Sequence, residues 1–202
     1  MANDDTRIYD EVVSFGGKAI MTGSYHKSGT DRIEEAYRKI GKEFDVVINV
    51  QGDEPFIHPS QIVSIMECFA SDDTQIATLG KRFESMESVE NANSPKIVTD
   101  NKGYAMYFSR SVIPYVRSKE RNEWINAFPF LKHIGMYAYR SGVLKEITKI
   151  EQSPLEIAES LEQLRWLQNG YKIKVGITDY ETVGIDTPND LRKAEELLSN
   201  DI

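Results

Sequence analysis

Apolar positions in this chain alternate between two periods. Short β-branched runs predict strands at residues 18–22, 45–50, 75–79, 96–99, 133–139 and 172–177. Apolar residues three and four apart predict helices at 7–15, 29–40, 59–70, 154–168 and 188–198 between and after them. The first helix ends at Gly16-Gly17, and Pro59 sits where a first helical turn tolerates proline. In the fourth helix Ile157, Ala158, Leu161, Leu164 and Leu167 mark one buried face. Val46-Val47-Ile48-Asn49-Val50 is nearly all apolar, as expected of a strand covered on both faces. The alternation predicts an α/β fold, a mostly parallel sheet between helix layers, as a single domain over residues 1–202. Such sheets bind ligands at the carboxyl ends of their strands.

Residues 117–127 are charged and aperiodic, and read as an exposed loop or arm. Phe128-Pro129-Phe130-Leu131 follows, suited equally to packing on another subunit or to a local satellite of the core.

Charge narrows the function. With 24 Lys and Arg against 32 Asp and Glu the net charge is -8, which argues against a nucleic-acid surface. It leaves open an anionic small molecule, because a bound cation and a few local Arg or Lys reverse the field at one place. The single cysteine, Cys68, excludes an internal disulfide and follows an apolar helical run, so a buried thiol is expected. No apolar stretch is long enough to span a membrane, and no signal peptide is evident, so the expected location is cytoplasmic.

The main candidate site is Val50-Gln51-Gly52-Asp53-Glu54-Pro55 at the end of the apolar strand. Gly52 permits a sharp turn and Pro55 sets its exit, presenting two acids at the strand's carboxyl end. A carboxylate there suits Mg²⁺, a hard cation taking oxygen ligands; an acidic turn capping the next helix is an equal reading. A second acid, Asp186, lies in Gly184-Ile185-Asp186-Thr187-Pro188, where Thr187 is a good N-cap ahead of Pro188. Two turn-borne acids are what a shared metal site needs; spacing alone does not show that they meet.

Six segments occur in an order that resembles the signature blocks of CMP-Kdo synthetases, which activate 3-deoxy-D-manno-octulosonate (Kdo) with CTP. They are residues 26–32 (HKSGTDR), 50–55 (VQGDEP), 104–110 (YAMYFSR), 133–137 (HIGMY), 161–165 (LEQLR) and 184–188 (GIDTP). The resemblance implies a nucleotide-diphospho-sugar transferase-like three-layer fold, a homodimer, and CMP transfer from CTP to Kdo for lipopolysaccharide synthesis. It implies Asp53 and Asp186 as catalytic Mg²⁺ ligands. It places Gln51, Arg110, His133, Tyr137, Glu162 and Gln163 in the sugar pocket and Ser28 and Gly29 at the nucleotide. Arg110 would offer a fork to the sugar carboxylate. Each also has a plainer reading: a surface ion pair for Arg110, a core histidine for His133, a polar helix face for Glu162 and Gln163. Lys96, before Ile97-Val98, could be a strand-edge charge, although the family has a lysine in the matching block.

The chain departs from the family pattern at its beginning, where an opening strand and an A-R-x-x-S-x-R-L-P-x-K-P loop are expected and are not found. Lys27 and Ile157 stand where glutamine and histidine are common. Two classes of function therefore stay in view: the enzyme, and a non-catalytic remnant that binds sugar or dimerises. A transferase for 8-amino-Kdo or sialic acid is a further alternative.

Overall fold

The chain begins on a two-residue strand, Ala2–Asn3 (β1), that pairs in parallel with Ile20–Met21 (β2). Between them Thr6–Ser14 (α1) is started by the Asp5 carboxylate, which accepts the Arg7 N–H. Gly29–Ile40 (α2) is capped by the Ser28 hydroxyl and closed by Gly41, whose φ of 65° is the left-handed C-cap that glycine accommodates. Val46–Asn49 (β3) follows, every residue of it half-buried. The structure is a computed structural model that describes residues 1–54, 56–181, 184–185 and 187–200; of these the side chains of 188, 193 and 197–200 are left undescribed.

Two compact units divide the chain. The first takes Met1–Asn49 and Tyr139–Ile150, the second Val50–Ala138 and Glu151–Ile202. The second unit starts with Pro59–Glu67 (α3), which has proline in its first turn and a capping box made by His58 and Gln61. Ile76–Arg82 (β4), Met86–Glu90 (α4), Lys96–Thr99 (β5), Ala105–Ser109 (β6), Trp124–Ala127 (α5) and Leu131–Arg140 (β7) follow. Ser141–Ile147 (α6) belongs to the first unit. Pro154–Glu159 (α7), Gln163–Gln168 (α8), Ile173–Ile177 (β8) and Pro188–Asn200 (α9) complete the second.

In that unit the strands run β6-β5-β7-β4-β8, with β4 parallel to β8 and β5 antiparallel to both β6 and β7. The sheet is thus mixed. Its core is built from Ile76, Leu79, Phe108, Ile134, Met136 and Trp166, all fully buried or nearly so. The aperiodic segment is more ordered than its charge predicts. Trp124 is buried with Phe83, Val89 and Phe130, and Phe128 packs on them, so the Phe-Pro-Phe run contributes to a satellite of the core. An indole and three phenyl rings outweigh the surrounding charges once they pack together. Cys68 is buried, and desolvation raises its thiol above the ordinary value.

The helix expected over 154–168 is two helices. Ser160 between them has φ 50° and ψ 49°, a left-handed turn that stops α7 before α8 begins.

Candidate active site

β7 brings two predicted positions onto one face, with a glycine between them, because side chains two residues apart in a strand point the same way. His133, Gly135 and Tyr137 share that face, and the His133 and Tyr137 ring centroids lie 5.3 Å apart. Gly135 between them leaves room: a Cβ there would come within 3.2 Å of Gln51 Nε2 and 3.5 Å of Glu54 Oε1. Gln51 uses that space, its Nε2 donating to the Gly135 carbonyl at 3.1 Å. Tyr137 meets Trp166 of α8 edge to face at 5.3 Å, which seats the helix carrying Gln163.

His133 is held neutral. Desolvation lowers its pKa from 6.5 to about 4. Its Nε2 is 3.2 Å from Thr78 Oγ1, and that hydroxyl also lies 3.1 Å from the Ile134 carbonyl and 2.9 Å from that of Met136. The single hydroxyl proton goes to a carbonyl, so the oxygen faces His133 as an acceptor and selects the Nε2–H tautomer. Nδ1 is then the ring's acceptor. Thr78 was not anticipated, although a lone hydroxyl within Ile76-Ala77-Thr78-Leu79 is a signal, since a buried hydroxyl must find partners.

Gln163 is 3% exposed, and its side-chain nitrogen has no hydrogen-bond partner among the described residues. Glu162 pairs with Arg165, whose guanidinium also lies 3.5 Å from Glu156.

Arg110, just past β6, is anchored by carbonyls. Its Nε donates to Glu159 O at 2.6 Å, Nη1 to Ala92 O at 3.0 Å and Nη2 to Ser160 O at 3.3 Å. Among the described residues three of its five N–H groups find acceptors, and one on each Nη remains for another. Lys96 is not a strand-edge charge. It is fully buried, donating from Nζ to the Arg110 carbonyl at 2.7 Å and the Asn91 carbonyl at 2.9 Å. Desolvation, and then the nearby Arg110 charge, push its pKa down.

Asp53 is exposed in the turn after β3, where the Glu54 N–H returns to the Gln51 carbonyl. Ile185 donates its backbone N–H to Asp53 O at 2.8 Å, which brings Ile185 to the turn. Asp186 lies outside the described residues. No group of three or more acidic, His or Cys side chains forms a ready metal cage among the described residues. The exposed carboxylate of Asp53 in a turn is an oxygen donor of the kind Mg²⁺ takes, an ion that keeps waters and substrate oxygens in most of its positions.

In the first unit Ser28 Oγ accepts the Asp31 N–H at 3.2 Å, and Gly29, the first residue of α2, has only Asn49 Nδ2 within 4.0 Å of where a Cβ would be. The loop before them is gathered by the buried Glu35 carboxylate. It accepts the Gly23 N–H at 3.0 Å, contacts His26 and pairs with Lys39 at 2.6 Å. Lys39, the Gly23 N–H and His26 hold Glu35 down at about 2.

A mixed α/β sheet, with a turn-borne acid after one strand and a polar array on another, has the character of a nucleotide-diphospho-sugar transferase. Its likeness to a glucose-1-phosphate thymidylyltransferase from Bacillus anthracis, at 13% identity and a TM-score of 0.57, shows the same fold. Residues 1–173 match the cytidylyltransferase family, and the chain belongs to it. It is 60% identical over 204 residues to a 3-deoxy-manno-octulosonate cytidylyltransferase of Parabacteroides distasonis, covering 99% of this chain and 81% of that protein. The corresponding protein of Bacteroides thetaiotaomicron is 59% identical over 203 residues, with the same coverage. A solved CMP:2-keto-3-deoxy-manno-octonic acid synthetase complexed with CTP superposes with a TM-score of 0.88 at 39% identity. The match covers 98% of this chain and 79% of that one.

Proposed function

We propose that this chain transfers CMP from CTP to the anomeric hydroxyl of Kdo, giving CMP-Kdo and pyrophosphate. The observation that carries the reading is the His133-Gly135-Tyr137 face with Gln51 laid across it and the buried Gln163 side-chain nitrogen, unpartnered among the described residues, on the helix that Tyr137 packs against. A neutral imidazole, a phenol and two amides sort sugar hydroxyls by hydrogen bonding. The relatives named for this reaction, and the CTP carried by the solved synthetase, support it.

In the reaction the sugar hydroxyl oxygen bonds to the α-phosphorus, the bond from phosphorus to the β-phosphate oxygen breaks, and pyrophosphate leaves. Catalysis rests on positioning and charge neutralisation, with no covalent intermediate on the protein. Asp53 and Asp186 would hold Mg²⁺, which supplies neutralisation at the α-phosphate and a lower pKa for the attacking hydroxyl. Arg110 takes the sugar carboxylate with its two remaining N–H groups. Ser28 and Gly29, at the start of α2, take the nucleotide through hydroxyl and backbone groups. Glu162 is oriented by Arg165 toward a sugar hydroxyl.

A homodimer belongs to the same reading. β6 is an edge strand, and Met106 on it and Tyr115 beyond it are 65% and 75% exposed, apolar surface of the kind a second copy covers. So do a cytoplasmic location and a place in lipopolysaccharide synthesis; no described helix is long and apolar enough to cross a membrane.

The test is pyrophosphate release by the purified chain with CTP, Kdo and Mg²⁺, each omitted in turn. Release that needs all three is the expected result. A folded chain that releases none is not the enzyme proposed.

A further inference from the structure

One residue touches both Ser109 and Arg110 where β6 ends. Glu159, the last residue of α7, accepts the Ser109 hydroxyl on Oε1 at 2.7 Å and the Arg110 backbone N–H on Oε2 at 2.9 Å. Its own carbonyl accepts Arg110 Nε at 2.6 Å. The next residue, Ser160, turns left-handed, so that α7 stops and its carbonyl also reaches the guanidinium. From the other side Lys96 holds the Arg110 carbonyl. Both backbone polar groups of Arg110 and three of its five guanidinium N–H groups are therefore spoken for.

A free arginine samples many rotamers, and binding must suppress them. Here the suppression is built into the fold, and what stays open is one N–H on each terminal nitrogen. We infer that Glu159 is a positioning residue for substrate recognition: through Arg110 and Ser109 it aims the guanidinium fork at the carboxylate of the acidic sugar. The inference rests on the proposed role of Arg110. A residue serving only the fold would leave sugar affinity untouched in any variant that still folds.

Glutamine at 159 keeps the shape. Its oxygen can accept the Arg110 N–H, while the Ser109 hydroxyl rotates to accept from its amide. Aspartate keeps the charge and withdraws the carboxylate by one methylene; alanine removes it.

The experiment is calorimetric titration of the chain and its variants with Kdo, and separately with CTP, with thermal melting alongside. Glu159→Ala and Glu159→Asp should weaken Kdo about tenfold, as loss of hydrogen bonds around a charged group does. Glu159→Gln should stay within about threefold of the unaltered chain, and CTP affinity should not change. In an Arg110→Ala background, Glu159→Ala should add less than about twofold, because a clamp has no role once its load is gone. If Arg110→Ala leaves Kdo affinity unchanged, or the unaltered chain does not bind Kdo, the role of Arg110 is wrong and this inference falls with it. If Arg110→Ala weakens Kdo while folded Glu159→Asp and Glu159→Ala do not, the inference alone is overturned. Should Glu159→Ala fail to fold, Glu159→Asp and Glu159→Gln decide the matter between them.

Discussion

Ile185 hands its backbone N–H to the carbonyl of Asp53 across 2.8 Å, and with that bond two backbone segments far apart in sequence become neighbours. The contact uses main-chain atoms of Asp53 and leaves its exposed carboxylate for other work.

Asp53→Ala should therefore fold, with little change in melting temperature, while turnover falls by at least about a hundredfold, the scale of losing charge neutralisation at phosphate. Asp186→Ala should behave alike, and the double variant should lose little more than either alone, since both would serve one ion. Activity and melting curves across a Mg²⁺ titration check this. Full activity in the folded double variant would sink the metal assignment.

The buried amide of Gln163 makes opposite demands on stability and binding. An unsatisfied buried donor costs about 1–3 kcal/mol. Gln163→Met keeps the length and removes the amide, so the melting temperature should rise while Kdo affinity drops. A variant that loses stability without losing Kdo affinity would show that the amide serves the fold instead.

His133 gives the protein a pH signature. Its pKa is lowered in the fold to about 4, from 6.5 when unfolded, so between these values the unfolded chain binds the extra proton. Its contribution to stability is complete above pH 6.5 and is lost as pH falls toward 4, amounting to at most about 3 kcal/mol. His133→Gln keeps a donor for Thr78 and cannot titrate in that window. Urea unfolding from pH 4 to 7 should show a shallower pH slope in the variant; equal slopes would mean that His133 is not desolvated.

Ser160 holds a left-handed backbone that glycine adopts without penalty. Ser160→Gly should raise stability by up to about 1 kcal/mol in thermal unfolding, the scale of strain carried by a single such residue. Kdo affinity should be unchanged, because the carbonyl that meets Arg110 Nη2 is retained.

The helix expected over 154–168 shows how far local pattern carries. Its apolar spacing runs on through Leu161 and Leu164, and nothing in that spacing marks Ser160 as a break. The break is a long-range matter: carbonyls at the end of α7 turn to Arg110, which arrives from β6. The place of Lys96 is beyond local pattern for the same reason. A lysine beside an apolar pair looks like an edge charge until Asn91 and Arg110 bring it carbonyls in the interior. The short segments Met86–Glu90, Ala105–Ser109 and Ser141–Ile147 carried too few apolar repeats to stand out, and packing selects their conformation.

Periodicity, caps and turn residues by themselves determined the α/β class, most of the longer elements, and Asp53 at the end of an apolar strand, because these depend on neighbours within a few residues. The alternation along β7 also determined that His133, Gly135 and Tyr137 share a face. Only the tertiary structure decided that Ile185 meets Asp53, that Thr78 selects a tautomer of His133, and that Glu159 clamps Arg110. Each of those contacts joins residues far apart in the chain, and no local spacing encodes which distant carbonyl a donor will reach. That choice is made by strand order and helix ends, and only when the whole sheet is assembled.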